Sequence, residues 1–150
     1  MIMEHVKKIA IGCDHAGFPY KDAIKAMLAE QGIEVLDFGT DSLDSVDYPD
    51  FIHPVAEKVE NKEVDFGIVL CGSGNGASMT ANKHQGVRSA LCWNSEITQL
   101  ARAHNNANIL SLPVRFVTEA AALESVKIFL STPFDGGRHE RRINKMPWDC

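Results

Sequence analysis

Cys71 closes the largely apolar run VDFGIVL and is followed by glycines at 72, 74 and 76 that alternate with Ser73 and Asn75. A thiol beside a chain of glycines suits anion binding or proton transfer. Several familiar templates fail in detail. Gly72, Gly74 and Ala77 match a loose GxGxxA, but the loop follows the third strand of the pattern instead of the first, and Cys92-Trp93-Asn94 stands where a ribose-binding acid is expected. No Lys-Ser or Lys-Thr pair follows the glycines, which excludes a nucleoside-triphosphate loop. A cysteine phosphatase would need Arg where Ala77 stands, and Ser73 lacks the flanking glycines of a hydrolase elbow. What remains is physical: alternating glycines let successive amides turn toward an anion, and the following helix adds its positive end. Such a nest suits a phosphate or an enolate. It would also favour the thiolate of Cys71, lowering its pKa from about 8.5 and making a base or nucleophile. The alternative is a small apolar cysteine that merely ends a buried strand.

Other candidates carry similar pairs of readings. His15, next to Asp14, is a solvated turn histidine or a group on the active edge. His104 ends the segment ITQLARAHNN, where an imidazolium is favoured by the helix dipole whatever else it does. Arg138 and Arg142 are four apart and share a helical face, as a phosphate clamp or as an exposed basic helix. Cys13, His15, Cys71 and Cys92 could converge on zinc, but no pair among them has the usual short ligand spacing. Trp93 and the other aromatics read as core.

The elements that must position these groups follow a strand-helix grammar. Lys8 to Cys13 reads as a strand, and after the Gly17-Phe18-Pro19 break YKDAIKAMLAEQG places Ala23, Ile24, Met27 and Leu28 at helical spacing. The spacing then predicts a strand at IEVLDFG, a helix from Asp50 to Lys62, the VDFGIVLC strand and a short helix from Ala77 to Lys83. Pro54 is tolerable in the second helix only near its first turn. A strand at VRSALCW, a helix from Ser95 to His104, a strand at ANILSL and a Thr118-capped helix to Ser131 complete the pattern. Near-continuous apolar strands indicate a five-stranded parallel sheet covered on both faces, an α/β fold. Every carboxyl strand end then lies on one edge, where open α/β folds bind ligands. Gly39 to Tyr48 is polar and turn-rich, a surface loop near that edge.

Length and composition set the frame. With 150 residues, 45% of them hydrophobic, the chain suits one domain with a substantial core. A net charge of -5 gives no electrostatic footprint for nucleic acid or an anionic membrane, and no apolar run approaches a membrane span. The opening MIMEHVKKIAIG has no signal-peptide apolar core, so a cytoplasmic protein is expected, and four cysteines without framework spacing are expected to stay reduced. From Phe134 the sequence turns basic, FDGGRHERRINKMPWDC, which reads as an appended helical tail.

GCDHAG, DYP, VLCGSGNG, ANK, ARAHNNAN and GRHERRI occur in the order and spacing of the ribose-5-phosphate isomerase B family, which includes galactose- and allose-6-phosphate isomerases, and the chain resembles that family over nearly its whole length. The resemblance implies a Rossmann-like three-layer α/β/α sandwich, a homodimer or homotetramer with active sites shared between copies, a tail packing on the partner subunit, and no metal or nucleotide cofactor. It implies that Cys71 removes the proton beside the sugar carbonyl and that His104 helps open the ring. Asp14, His15, Tyr48 and Asn105 would contact the sugar, Gly72, Ser73, Gly74, Asn75 and Gly76 would cradle the enediolate, and Arg115, Arg138 and Arg142 would hold the phosphate. Some relatives use a glutamate just after the glycine loop as the base; Ala77 stands there in this chain. The substrate implied is ribose 5-phosphate, with a hexose 6-phosphate as the nearest rival. A nucleotide-binding regulatory module or a thiol redox sensor built on Cys71 would use the same loop differently.

Overall fold

The three most apolar segments form the middle of the sheet. Strands β1 (Lys8–Cys13), β3 (Phe66–Cys71) and β5 (Ile109–Pro113) are buried almost throughout, whereas β2 (Glu34–Asp37) and β4 (Ser89–Leu91) lie at the edges and are partly exposed. All pairings are parallel, in the order β2-β1-β3-β5-β4. This is a computed structural model in which residues 1–148 are described. Asp149 and Cys150 lie outside the described residues.

The strand period of two sorts side chains to two faces. Phe66, Ile68 and Leu70 of β3 join the core under α1 (Phe18–Glu30), α4 (Ser95–Asn105) and α5 (Glu119–Ser131), through Ile24, Leu28, Ala101, Val126 and Phe129. Val69 and Cys71 face the opposite layer, α2 (Pro49–Glu60) and α3 (Asn75–Ala81), through Ile52, Val55, Val59 and Ala77. The result is the expected three-layer sandwich. Gly67 allows α2 to sit low on the sheet, because a Cβ there would stand 2.8 Å from Val55 Cγ1.

Local chemistry explains the helix starts. Asn94 accepts from the Ile97 amide at 2.9 Å and Thr118 from the Ala121 amide at 3.1 Å, capping α4 and α5. Three expectations shift. Helix α1 begins at Phe18, with Pro19 inside its first turn, where a missing N–H costs nothing. Helix α3 begins at Asn75, two residues early, because Gly74 supplies the left-handed entry at φ 76°. Pro54 lies one residue deeper in α2 than expected, since that helix starts at Pro49. The tail forms α6 (Arg138–Ile143), which meets α4 of its own chain.

Candidate active site at the two edges of the sheet

Strands β1 and β3 are neighbours, and the chain leaves them toward opposite sides of the sheet, which creates a crevice at their carboxyl ends. Asp14 and Cys71 stand there. The buried Asp14 acts on its own turn: Oδ1 accepts from the amides of Ala16 at 3.0 Å and Gly17 at 3.1 Å. Its other oxygen, Oδ2, accepts from the Cys71 thiol at 3.2 Å. The amides of Gly72 and Gly74 also reach the sulfur, as the glycine pattern predicts. Their effect is outweighed, however: burial first, and then the hydrogen bond and negative charge of Asp14, push the Cys71 thiol up to about 11. The expected lowering of this thiol is therefore corrected. An anion already occupies the place beside the sulfur, and it belongs to the protein.

The glycine loop is pinned from below. Buried Ser111 on β5 donates to the Gly74 carbonyl at 2.9 Å, and a Cβ at Gly74 would meet Leu91 Cδ1 at 2.5 Å. Ser73 and Asn75 are exposed, and the Ser73 hydroxyl accepts from the Asn75 amide at 3.3 Å. The loop from Gly39 to Tyr48 reaches this edge, as expected: the Val46 amide donates to His15 Nδ1 at 3.3 Å, and the Tyr48 ring lies where a Cβ on Gly76 would be. Arg115 lies over Gly72, its Nη1 3.2 Å from the place of an added Cβ, and its amide donates to the Gly72 carbonyl. Trp93 departs from its expected place in the core. It is 54% exposed and lines a shallow cleft with Ser73, Asn75 and Phe116.

Lys21 anchors the approach to that loop, a role the helical pattern of α1 does not reveal. Its side chain is 1% exposed, and the ammonium donates to Asp37 at 3.1 Å, the Thr40 carbonyl at 2.7 Å and Asp41 at 2.6 Å. All three protons are used, so burial is compensated.

The remaining predicted residues collect at the other edge of the sheet. Helix α4 runs back across the layer, so His104 and Asn105 emerge where β5 begins, not where it ends. With β3 six residues long, the edges are roughly 16 Å apart. There the His104 ring stacks on His139, centroids 4.2 Å apart, and its Nε2 lies 3.9 Å from Asp135 Oδ2. Arg138 and Arg142 are exposed on α6 beside them. His139 sits below the ordinary imidazole value through desolvation and the neighbouring His104, Arg138 and Arg142. Arg102 fixes this corner. It is buried, lies 4.7 Å from the Phe66 ring centroid, and donates to Asn106 Oδ1 and to the carbonyls of Ala107 and Thr132. Asn105 lines a cleft of about 340 Å³ with Arg88 and Ile143. Asp135 and His139 were not singled out by sequence reasoning. The offset of His139 from Arg138 and Arg142 on one short helix was the available signal.

The zinc arrangement considered from sequence does not form. Among the described residues, the one trio of potential ligand side chains within 4.8 Å is His104, Asp135 and His139, and Cys13, Cys71 and Cys92 are free thiols.

Residues 9–146 match the model of a family described as Ribose/Galactose Isomerase. The chain belongs to this family. Within it, ribose-5-phosphate isomerase B of Escherichia coli (strain K12) is 44% identical over 138 residues, covering 92% of this chain and 93% of that one. A crystal structure of a ribose 5-phosphate isomerase from Thermotoga maritima superimposes with a TM-score of 0.92 at 53% identity, covering 96% of this chain and 99% of that one. Ribose-5-phosphate isomerase B from Mycoplasma genitalium, with bound ribulose-5-phosphate, is similar at a TM-score of 0.90 and 43% identity, covering 95% of each.

Proposed function

We propose that this chain interconverts D-ribose 5-phosphate and D-ribulose 5-phosphate through an enediolate. Family membership over residues 9–146 and the likeness to a relative holding ribulose-5-phosphate support that substrate. The observation that carries the chemistry is the Cys71 sulfur, held in the β1/β3 crevice between the Gly72 and Gly74 amides and Asp14. In this reading the sulfur takes the proton from C2 of the open-chain aldose, the C–H electrons form the C1–C2 double bond, and the C1 oxygen becomes an oxyanion. Proton exchange between the two oxygens and return of a proton to C1 give the ketose. One base contributes about 10²- to 10⁴-fold, so amide donors to the oxyanion and a distant phosphate clamp must supply the rest.

Asp14, His15, Tyr48 and the 72–76 loop form one half of the proposed site, with Arg115. His104, Asn105, Arg138 and Arg142 form the other. Because the sheet separates them within a chain, we assign the two halves of each site to two copies, in a homodimer or a larger assembly. Among the described residues no helix is long and apolar enough to cross a membrane. The free thiols suit a reducing compartment, and we place the protein in the cytoplasm.

The test is a side-by-side assay on ribose, allose and galactose phosphates, with Cys71→Ala as the comparison. Turnover of ribose 5-phosphate and deuterium exchange at C2 are expected for the wild type, and both are lost in the variant. Preferred turnover of a hexose 6-phosphate would replace the substrate, and retained exchange in Cys71→Ala would remove the sulfur from the mechanism.

A further inference from the structure

A sulfur whose proton is held by a neighbouring carboxylate is a poor base by itself. Resting on the isomerase reading, we propose that the base is a pair, Cys71 and Asp14, which share one proton, with Asp14 acting through the sulfur as its positioning and proton-accepting partner. Three observations carry this. Asp14 is 5% exposed, and the amides of Ala16 and Gly17 occupy Oδ1, so Oδ2 is turned to the thiol at 3.2 Å. No ion pair reaches Asp14 among the described residues, and the buried ammonium of Lys21 is committed to Asp37 and Asp41. The groups facing the sulfur are Asp14 from the β1–α1 turn and the amides of its own loop. Arg115 from the β5–α5 turn lies over Gly72, and Tyr48 from the start of α2 lies over Gly76.

The pair carries one negative charge whether the proton sits on sulfur or on oxygen, and it titrates as a unit. When the C2 proton passes to sulfur, the thiol proton crosses to Asp14 Oδ2. The pair then holds two protons and no charge, and the substrate holds the new negative charge as the enediolate. On return, the thiol gives its proton to C1 and Asp14 gives its proton back to sulfur. Charge moves from protein to substrate without accumulating. A fixed carboxylate that stayed ionised would instead repel the enediolate.

Asp14→Asn separates this arrangement from a purely structural or sugar-binding role. Asn retains an oxygen for the Ala16 and Gly17 amides but turns a donor toward the sulfur. Alkylation of Cys71 by iodoacetamide at neutral pH, followed on the Cys71 peptide by mass spectrometry, should become at least about tenfold faster, because a shift of one pKa unit changes the thiolate fraction tenfold. Isomerisation should fall at least about 10²-fold in kcat. A residue that only contacts sugar would raise KM and leave alkylation unchanged. A folded Asp14→Asn chain that alkylates no faster, or keeps kcat within a few-fold, overturns the pair. If the variant does not fold, the wild type decides: its Cys71 alkylation should rise with pH well beyond the ordinary thiol range, and a midpoint near about 8.5 overturns the proposal. Failure of the wild type on every sugar phosphate would sink the isomerase reading itself. Normal turnover in both chains would sink the pair alone.

Discussion

The two edges of the sheet carry the two proposed half-sites, which are built by different means. At the carboxyl edge the backbone does the positioning: a buried carboxylate capped by two amides, a thiol at 3.2 Å, and a glycine loop pinned by Ser111. At the amino edge, α4 and α6 present two half-buried, stacked imidazoles and two exposed guanidiniums, supported by the buried Arg102 beneath. The first half is shaped before a ligand arrives, while the second offers charge on an open surface. A sheet of this length does not fold back on itself, so in the proposed reading the halves meet on one substrate only between copies.

The sharpest way to break that comparison is subunit mixing. Cys71→Ala and His104→Ala should each be inactive alone. Refolded together at equal ratio, they should recover roughly a quarter of the wild-type rate, since half of random dimers are mixed and each mixed dimer restores one of two sites. No recovery, measured against the separate variants, would return the two edges to independent roles.

Arg142→Ala tests the open half alone. A charge-assisted hydrogen bond is worth about 1.5–3 kcal/mol, so KM should rise about 10- to 100-fold with kcat nearly unchanged if the phosphate is held equally in ground and transition states. An unchanged KM removes Arg142 from the clamp.

Lys21→Met probes the shaped half through its support. Losing one partner of a fully buried ion pair costs about 3–5 kcal/mol; with Asp41 exposed and Lys25 still bound to Asp37, about 2 kcal/mol is expected here in urea unfolding. The pH dependence has a definite sign. Burial opposes ionisation of Asp37, but Lys25, the Gly39 amide and Lys21 together hold its carboxyl below the ordinary value. The folded state thus binds fewer protons, and this stability is complete above the ordinary carboxylate range and lost as pH falls through the depressed value. For Lys21 burial again opposes, and Asp41 and Asp37 raise it, so its contribution is lost only at strongly alkaline pH. The variant should therefore lose less stability on acidification than the wild type. Equal acid sensitivity would show that the pair contributes little.

Much of this division was legible in the sequence. Apolar runs gave the strands, and Asn94 and Thr118 marked two helix starts, because periodicity and capping are local. Cys71, its glycines and Asp14 fell at carboxyl strand ends, where a parallel sheet gathers chemistry. The direction of the Cys71 shift was not legible, since it depends on which Asp14 oxygen faces the thiol across 57 residues of chain. Nor was Lys21: a lysine on the buried face of α1 breaks the apolar pattern, and only the return of Asp37, Thr40 and Asp41 explains it. His139 hid within a basic motif whose arginines drew the attention.

The smallest expected effect concerns Gly76, where the two kinds of construction touch. Alanine is worth about 1 kcal/mol more than glycine inside a helix, and Gly76 lies within α3 without a positive φ. Its Cβ would, however, overlap the Tyr48 ring, which is 36% exposed and has room to swing outward. Gly76→Ala should therefore change stability by less than about 1 kcal/mol while lowering kcat/KM several-fold, because the gain in helix propensity offsets the displacement but the pocket wall has moved. Adding Gly76→Ala to a Tyr48→Ala chain should then have no further effect on kcat/KM. If Gly76→Ala alone leaves kcat/KM unchanged, Tyr48 is not a wall of the carboxyl-edge half, and that half consists of the β1 turn, the glycine loop and Arg115.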